Sequence, residues 1–181
     1  ERLGRLAAQE WDKSISRMES RAHVVLLDEA RETLFRAVCA WSGTPLPEGE
    51  VGTRTRELGD LIEGPGSIGL RHWKGRLSRR SAEQWAAGLV RDMRRGGLSA
   101  GANQALGAVA HHRDVSGNLL DERTAAVELL NVLRPTVAVA YYVTFMAVAL
   151  HSYAGITEKL ATGDLDPEWV VQEIRRFYPF F

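Results

Sequence analysis

Apolar residues recur along this chain at spacings of three and four, the repeat that turns one face of an α-helix toward a core. Leu3, Leu6, Trp11, Ile15, Met18, Ala22 and Val25 follow it with one step of five, and Leu27, Leu34, Val38 and Trp41 continue it, with Arg31 on the same stripe. Ser42-Gly43, followed by Pro45 and Pro47, ends that second pattern, and spacing alone leaves open one bent rod or two helices. Residues 45–53 read as a loop, residues 55–62 as a short helix, and Gly64-Pro65-Gly66-Ser67-Ile68-Gly69 as a flexible connector of turn formers. A helix over residues 71–95 buries Trp85, Leu89 and Met93 and closes at Gly96-Gly97; residues 105–110 add a turn or two of helix, and residues 114–117 a turn. The last helix starts at Asp166 as N-cap with Pro167 in the first turn, carries Glu168 near its positive end, and runs to Phe177 before Pro179. No run alternates persuasively as a strand, so the fold class is all-α.

The longest pattern spans residues 119–153 and reads as a single helix, with Asn118 and Asp121 as a capping arrangement and Gly155 as a left-handed stop before a short helix over residues 156–161 and Gly163. Between Glu128 and Glu158 its one formal charge is Arg134, and residues 135–150 are apolar on every face apart from Thr136, Thr144 and the tyrosine hydroxyls. This predicts a helix buried all round. The apolar run of 16 residues is shorter than the roughly 18 to 20 that a bilayer requires, so it reads as core, with no membrane span. Pro135 leaves the carbonyl of Asn131 without its donor and disfavours helical geometry at Arg134, at about 3 kcal/mol. A buried guanidinium in turn needs an anion and several hydrogen bonds. Two local rules broken at neighbouring positions point to a kinked, widened segment with a cation facing a cavity. The plainer reading is a helix break whose arginine pairs with a carboxylate elsewhere in the chain.

Composition narrows this little. The 181 residues, 45% apolar, fit one domain, and a net charge of zero excludes a general polyanion binder. One cysteine, Cys39, excludes an internal disulfide, lies on an apolar helical face and suits a reducing, cytoplasmic compartment; no signal or lipidation motif is present. Arg71, Lys74, Arg76, Arg79, Arg80, Arg91, Arg94 and Arg95 against Glu83 and Asp92 form the one basic region. It reads either as a nucleic-acid surface on a non-catalytic helical module or as a solvated face balanced by acids elsewhere, and neutrality favours the second. His111-His112 point to different sides of a helix and have no companion ligand, so no metal is expected there.

The order of pieces resembles a known family. A long helix, a short one, and a helix bearing Glu173 and Arg176 as Glu-x-x-Arg before Phe177-Tyr178-Pro179-Phe180-Phe181 are similar to the central and following helices of the haem-thiolate cytochromes P-450. Leu133-Arg134-Pro135-Thr136, Arg-His-Trp-Lys-Gly-Arg over residues 71–76, and Arg80 with Glu83 and Trp85 resemble the bacterial fatty-acid peroxygenases of that superfamily. The resemblance implies the helical portion of the cytochrome P-450 fold and haem b as cofactor. It implies hydrogen peroxide as co-substrate, a long-chain fatty acid as partner, and no redox partner, since the acid-threonine pair of conventional monooxygenases is missing. Arg134 would hold the substrate carboxylate, which serves as acid and base for splitting peroxide, with Pro135 widening the helix beside it and hydroxylation falling on the α or β carbon, decarboxylation being a side reaction. Phe180 and Phe181 would line the substrate channel, Ile68 and Leu70 would cover the acyl chain, and Glu173 with Arg176 would form a structural ion pair. Residues 1–181 then read as one helical region internal to a larger haem-thiolate domain, the iron-ligating cysteine expected beyond Phe181 and Cys39 not being that ligand.

Overall fold

The computed structural model describes residues 1–64, 69–101 and 103–178, apart from the Arg71 side chain. Among them are nine helices: α1 (Arg2–Glu19), α2 (Leu26–Ser42), α3 (Glu48–Glu63), α4 (Leu70–Arg94), α5 (Ala105–Ala110), α6 (Glu122–Ala138), α7 (Ala140–Ser152), α8 (Ile156–Thr162) and α9 (Pro167–Phe177). The described residues contain no strand, only one isolated antiparallel bridge between Arg113 and Leu119. The all-α expectation holds.

Helix α6 lies at the centre, packed against α2, α3, α4 and α5. Its Leu129 and Leu133 are fully enclosed with Phe35 and Val38 of α2, Leu58 of α3, Ala82 and Ala86 of α4 and Leu106 of α5. Phe35 meets Trp85 edge to face at 6.2 Å between ring centroids, which joins α2 to α4 beside this core. A second, smaller core gathers Ala149 of α7 with Val170 and Ile174 of α9, where Phe145 stacks on Tyr178 at 5.1 Å.

Three expectations are corrected. Residues 45–53 are not all loop, because α3 begins at Glu48 directly after Pro47. Gly49 and Gly52 suggest irregular chain, yet Val51, Thr55, Leu58 and Gly59 bury one helical stripe, and Glu48 and Glu50 sit favourably at the positive helix end. The long helix starts at Glu122 rather than 119, since Leu119 is tied to Arg113 and Asp121 caps the helix by accepting the Arg123 and Thr124 amides at 3.0 Å each. It is also divided at Val139, one turn beyond Pro135, where the Val139 amide donates to the Thr136 carbonyl at 3.2 Å in a tightened turn.

Nor is the second half buried all round. In α7 Ala140 and Ala149 are buried, whereas Val139 and Val148 are each 46% exposed. The reason is geometric: α7 rests on α2 and α9, and its remaining face meets no other described helix to an appreciable extent. By length and composition the run Glu122–Ser152 is long and apolar enough to cross a bilayer, so the reading as core rests on α6, whose Ala125, Ala126, Leu129, Leu130, Leu133 and Val137 are buried in the bundle.

Helices α3 and α4 approach at two glycines. A Cβ on Gly75 would stand 3.1 Å from the Gly64 Cα, so close that the backbones would have to give by a few tenths of an ångström to admit it. Beside this contact Asp60 accepts from Lys74 Nζ at 2.8 Å and from Ser78 Oγ at 2.7 Å.

Candidate functional site: the cavity at Arg134

The glycine contact places the end of α3, the first half of α4 and the middle of α6 around a cavity of about 260 Å³. His72, Gly75, Arg76, Arg79 and Glu83 reach it from α4, at spacings that form one helical face. Val127, Leu130, Asn131 and Arg134 reach it from α6 in the same way, and Asp60, Leu61 and Gly64 close the third side. The carbonyl deprived of a donor by Pro135 therefore belongs to a residue of the cavity wall, Asn131, while Pro135 itself is exposed and lies outside the lining.

Charge in this cavity is unevenly engaged. Asp60 is held by Lys74 and Ser78, and Glu83 accepts from Arg79 Nε at 2.8 Å. Arg134 is half-buried and makes no hydrogen bond or ion pair with any described residue. Arg76 also lacks a carboxylate among the described residues, its guanidinium lying 5.3 Å from the Trp73 ring centroid. A guanidinium that is partly desolvated and unpaired, set among Val127, Leu130 and Leu61, offers a planar donor fork to a carboxylate. The plainer reading of Arg134, an internal ion pair across the helix break, does not describe this structure.

The remaining predicted site residues lie elsewhere. Leu70 is 90% exposed at the start of α4 and is not among the residues that line this cavity. Ile68, Phe180 and Phe181 lie outside the described residues. Glu173 and Arg176 pair on the surface of α9, with Arg176 Nε 2.8 Å from Glu173 Oε2, at the edge of an apolar groove shared with Ala149, Val170 and Tyr178. Sequence reasoning missed Asp60, His72, Arg76 and Arg79 as cavity residues, although the spacing of the last two with Glu83 on a predicted helix carried the signal.

Four of the eight cations of the basic region are engaged internally. Lys74 pairs with Asp60, Arg79 with Glu83 and Arg91 with Glu122, while Arg94 donates to the carbonyls of Ala110 at 2.8 Å and Leu120 at 2.7 Å. Cys39 is 2% exposed in the main core, and burial pushes its thiol far above the usual range, so it stays protonated. It does not fit an axial thiolate for haem. No group of three or more His, Cys, Asp or Glu side chains able to hold a metal occurs among the described residues.

Comparison with known proteins agrees with the fold. No family model matches the chain. Among solved structures, cytochrome P450EX alpha (CYP152N1) with myristic acid is 46% identical at a TM-score of 0.91, over 99% of this chain and 43% of that one. Cytochrome P450SP alpha (CYP152B1) in complex with (R)-ibuprofen is 44% identical at a TM-score of 0.92, over 99% of this chain and 44% of that one. A variant of cytochrome P-450 OleT in complex with arachidonic acid is 26% identical at a TM-score of 0.87, over 98% of this chain and 43% of that one. The chain thus spans less than half the length of the proteins it matches. Agreement of backbone and sequence over nearly all of these residues means that the chain belongs to the CYP152 group of the cytochromes P-450 and carries part of its helical portion.

Proposed function

We propose that the protein containing this chain hydroxylates long-chain fatty acids at the α or β carbon with hydrogen peroxide, and that the chain's part is to grip the substrate carboxylate through Arg134. The observation that carries this is the half-buried guanidinium of Arg134, without a partner among the described residues, on the wall of a cavity whose two carboxylates are already engaged. Support comes from the neighbours, since myristic acid, arachidonic acid and ibuprofen are all carboxylic acids.

Haem would supply the oxidising chemistry when bound. The rest follows from this chain. Arg134 orients the head group through two parallel hydrogen bonds, which confines reaction to the carbons nearest the carboxylate. The two carboxylates of the cavity are engaged by Lys74, Ser78 and Arg79, so neither is free to shuttle a proton. The substrate's own carboxylate oxygen takes that role, accepting a proton from peroxide and returning it as water leaves. One fatty acid and one peroxide give one hydroxy acid and one water, so electrons balance without a reductase.

The test is turnover of myristic acid by the haem-loaded whole protein with peroxide alone, products identified by gas chromatography and mass spectrometry. Formation of α- or β-hydroxymyristic acid, abolished in Arg134→Ala, is expected. Turnover that requires a reductase and reduced nicotinamide, or an Arg134→Ala variant of undiminished activity, refutes the proposal.

A further inference from the structure

A second arginine, Arg31, joins three helices where the helix bends. Its side chain is 11% exposed. Its Nη2 donates to Glu63 Oε1 at 2.5 Å, the last residue of α3, and to the Tyr141 hydroxyl at 2.9 Å on α7. The Tyr141 hydroxyl in turn donates to the same Glu63 oxygen at 3.1 Å, and the guanidinium carbon lies 5.2 Å from the Tyr141 ring centroid. Room for the guanidinium exists because residue 59 is glycine: a Cβ there would stand 3.3 Å from Arg31 Nη1 and 3.4 Å from its central carbon. One carboxylate oxygen, one hydroxyl and one guanidinium nitrogen thus form a closed triangle.

Its location gives the triangle consequences. Glu63 directly precedes Gly64 of the cavity wall and follows Asp60 and Leu61 of the same wall by a turn or less. Tyr141 follows the Val139 break by two residues, and the next two amides, of Tyr142 and Val143, both donate to the Val139 carbonyl, at 2.9 and 3.3 Å. Before the break α6 is clamped by Leu133 and Val137, both fully buried. Pro135 has removed the hydrogen bond to the Asn131 carbonyl, and the ladder tightens to a three-residue turn at Val139, so hydrogen bonding within the helix does not by itself set the angle between its halves.

We propose that Arg31, Glu63 and Tyr141 act as a positioning latch that sets the bend after Arg134 and ties it to the α3 wall, holding the guanidinium at the carboxylate site. This rests on the reading of Arg134 as the substrate grip. None of the three touches substrate; they act through α7 and α3. The long reach in sequence, from residue 31 to residue 141, lets helices far apart along the chain agree on one cavity shape.

The test uses the haem-loaded whole protein and two variants that approach the triangle from opposite sides. Tyr141→Phe keeps the ring and removes the hydroxyl, and Gly59→Ala presses a methyl group on the guanidinium. In both, hydrogen exchange at the Tyr142 and Val143 amides is expected to rise about ten-fold while that at Leu129 stays unchanged. Affinity for myristate, read as an absorption shift on titration, is expected to weaken about five-fold. Unchanged exchange in both variants overturns the latch. Faster exchange with unaltered myristate affinity overturns its link to Arg134 and leaves a structural contact alone. A parent protein that does not bind myristate marks failure of the proposed function itself, and takes the positioning role with it; the exchange arm, read without ligand, still tells the two failures apart.

Discussion

Replacing Arg134 by glutamine separates a ligand-binding arginine from a structural one. A bidentate guanidinium–carboxylate pair makes two hydrogen bonds to a charged group, each contributing about 1.5 to 3 kcal/mol. Because Arg134 is only half-buried, solvent screening favours the lower end, about 3 kcal/mol for the pair. At about 1.4 kcal/mol per decade, myristate should bind about a hundred-fold more weakly. Stability should scarcely change, since no described residue loses a partner, and a change within about 0.5 kcal/mol is expected. Arg31→Gln is the contrast. It removes the guanidinium from Glu63 and from the Tyr141 hydroxyl, and with Arg31 11% and Glu63 38% exposed a loss of about 2 kcal/mol follows, less than the 3 to 5 of a fully buried pair. Thermal unfolding followed by circular dichroism, with calorimetric titration of myristate, reads both quantities. An Arg134→Gln variant that lost as much thermal stability as Arg31→Gln, or that bound myristate normally, would refute the reasoning.

Gly75→Ala tests the roof of the cavity: the added methyl meets the Gly64 Cα at 3.1 Å and the Asp60 carbonyl at 3.3 Å, both backbone atoms, and should destabilise by about 1 to 3 kcal/mol in urea unfolding. Asp121 tests the start of α6. The Thr124 hydroxyl, then the Thr124 and Arg123 amides, hold its carboxyl below the usual range, so its contribution to stability is fully present above the unfolded value of about 3.9 and fades as pH falls through the lower folded value. Melting curves of the parent and Asp121→Ala should therefore differ at neutral pH and converge in acid; a gap that persisted in strong acid would contradict the assignment.

Much of this architecture was legible in one dimension. Helical periodicity identified α4, α5, α8 and α9 and the helical character of α1 and α2, though not the break after Glu19 that separates these two, because an amphipathic face records its own period; the Asp166-Pro167 start of α9 appears as anticipated, with Asp166 accepting the Glu168 amide at 2.8 Å. The Arg134-Pro135 pair stood out for a similar reason: a proline and a charge inside an apolar helix violate preferences that depend only on neighbours in sequence. The first part of α3, residues 48–54, was hidden because two glycines spoke against it locally, and only the burial of Val51 against other helices overrides them.

Contacts distant along the chain decided the rest. Whether Arg134 would find an internal carboxylate depended on where Asp60 and Glu83 came to lie and on Lys74, Ser78 and Arg79 having engaged them first. Helix α7 is apolar all round in sequence yet open on one face, since burial belongs to the neighbours a helix meets and not to its composition. The Arg31–Glu63–Tyr141 triangle has no signature at all in residue order. Its members lie 32 and 78 positions apart, and folding alone brings their charges and hydroxyl within hydrogen-bond reach.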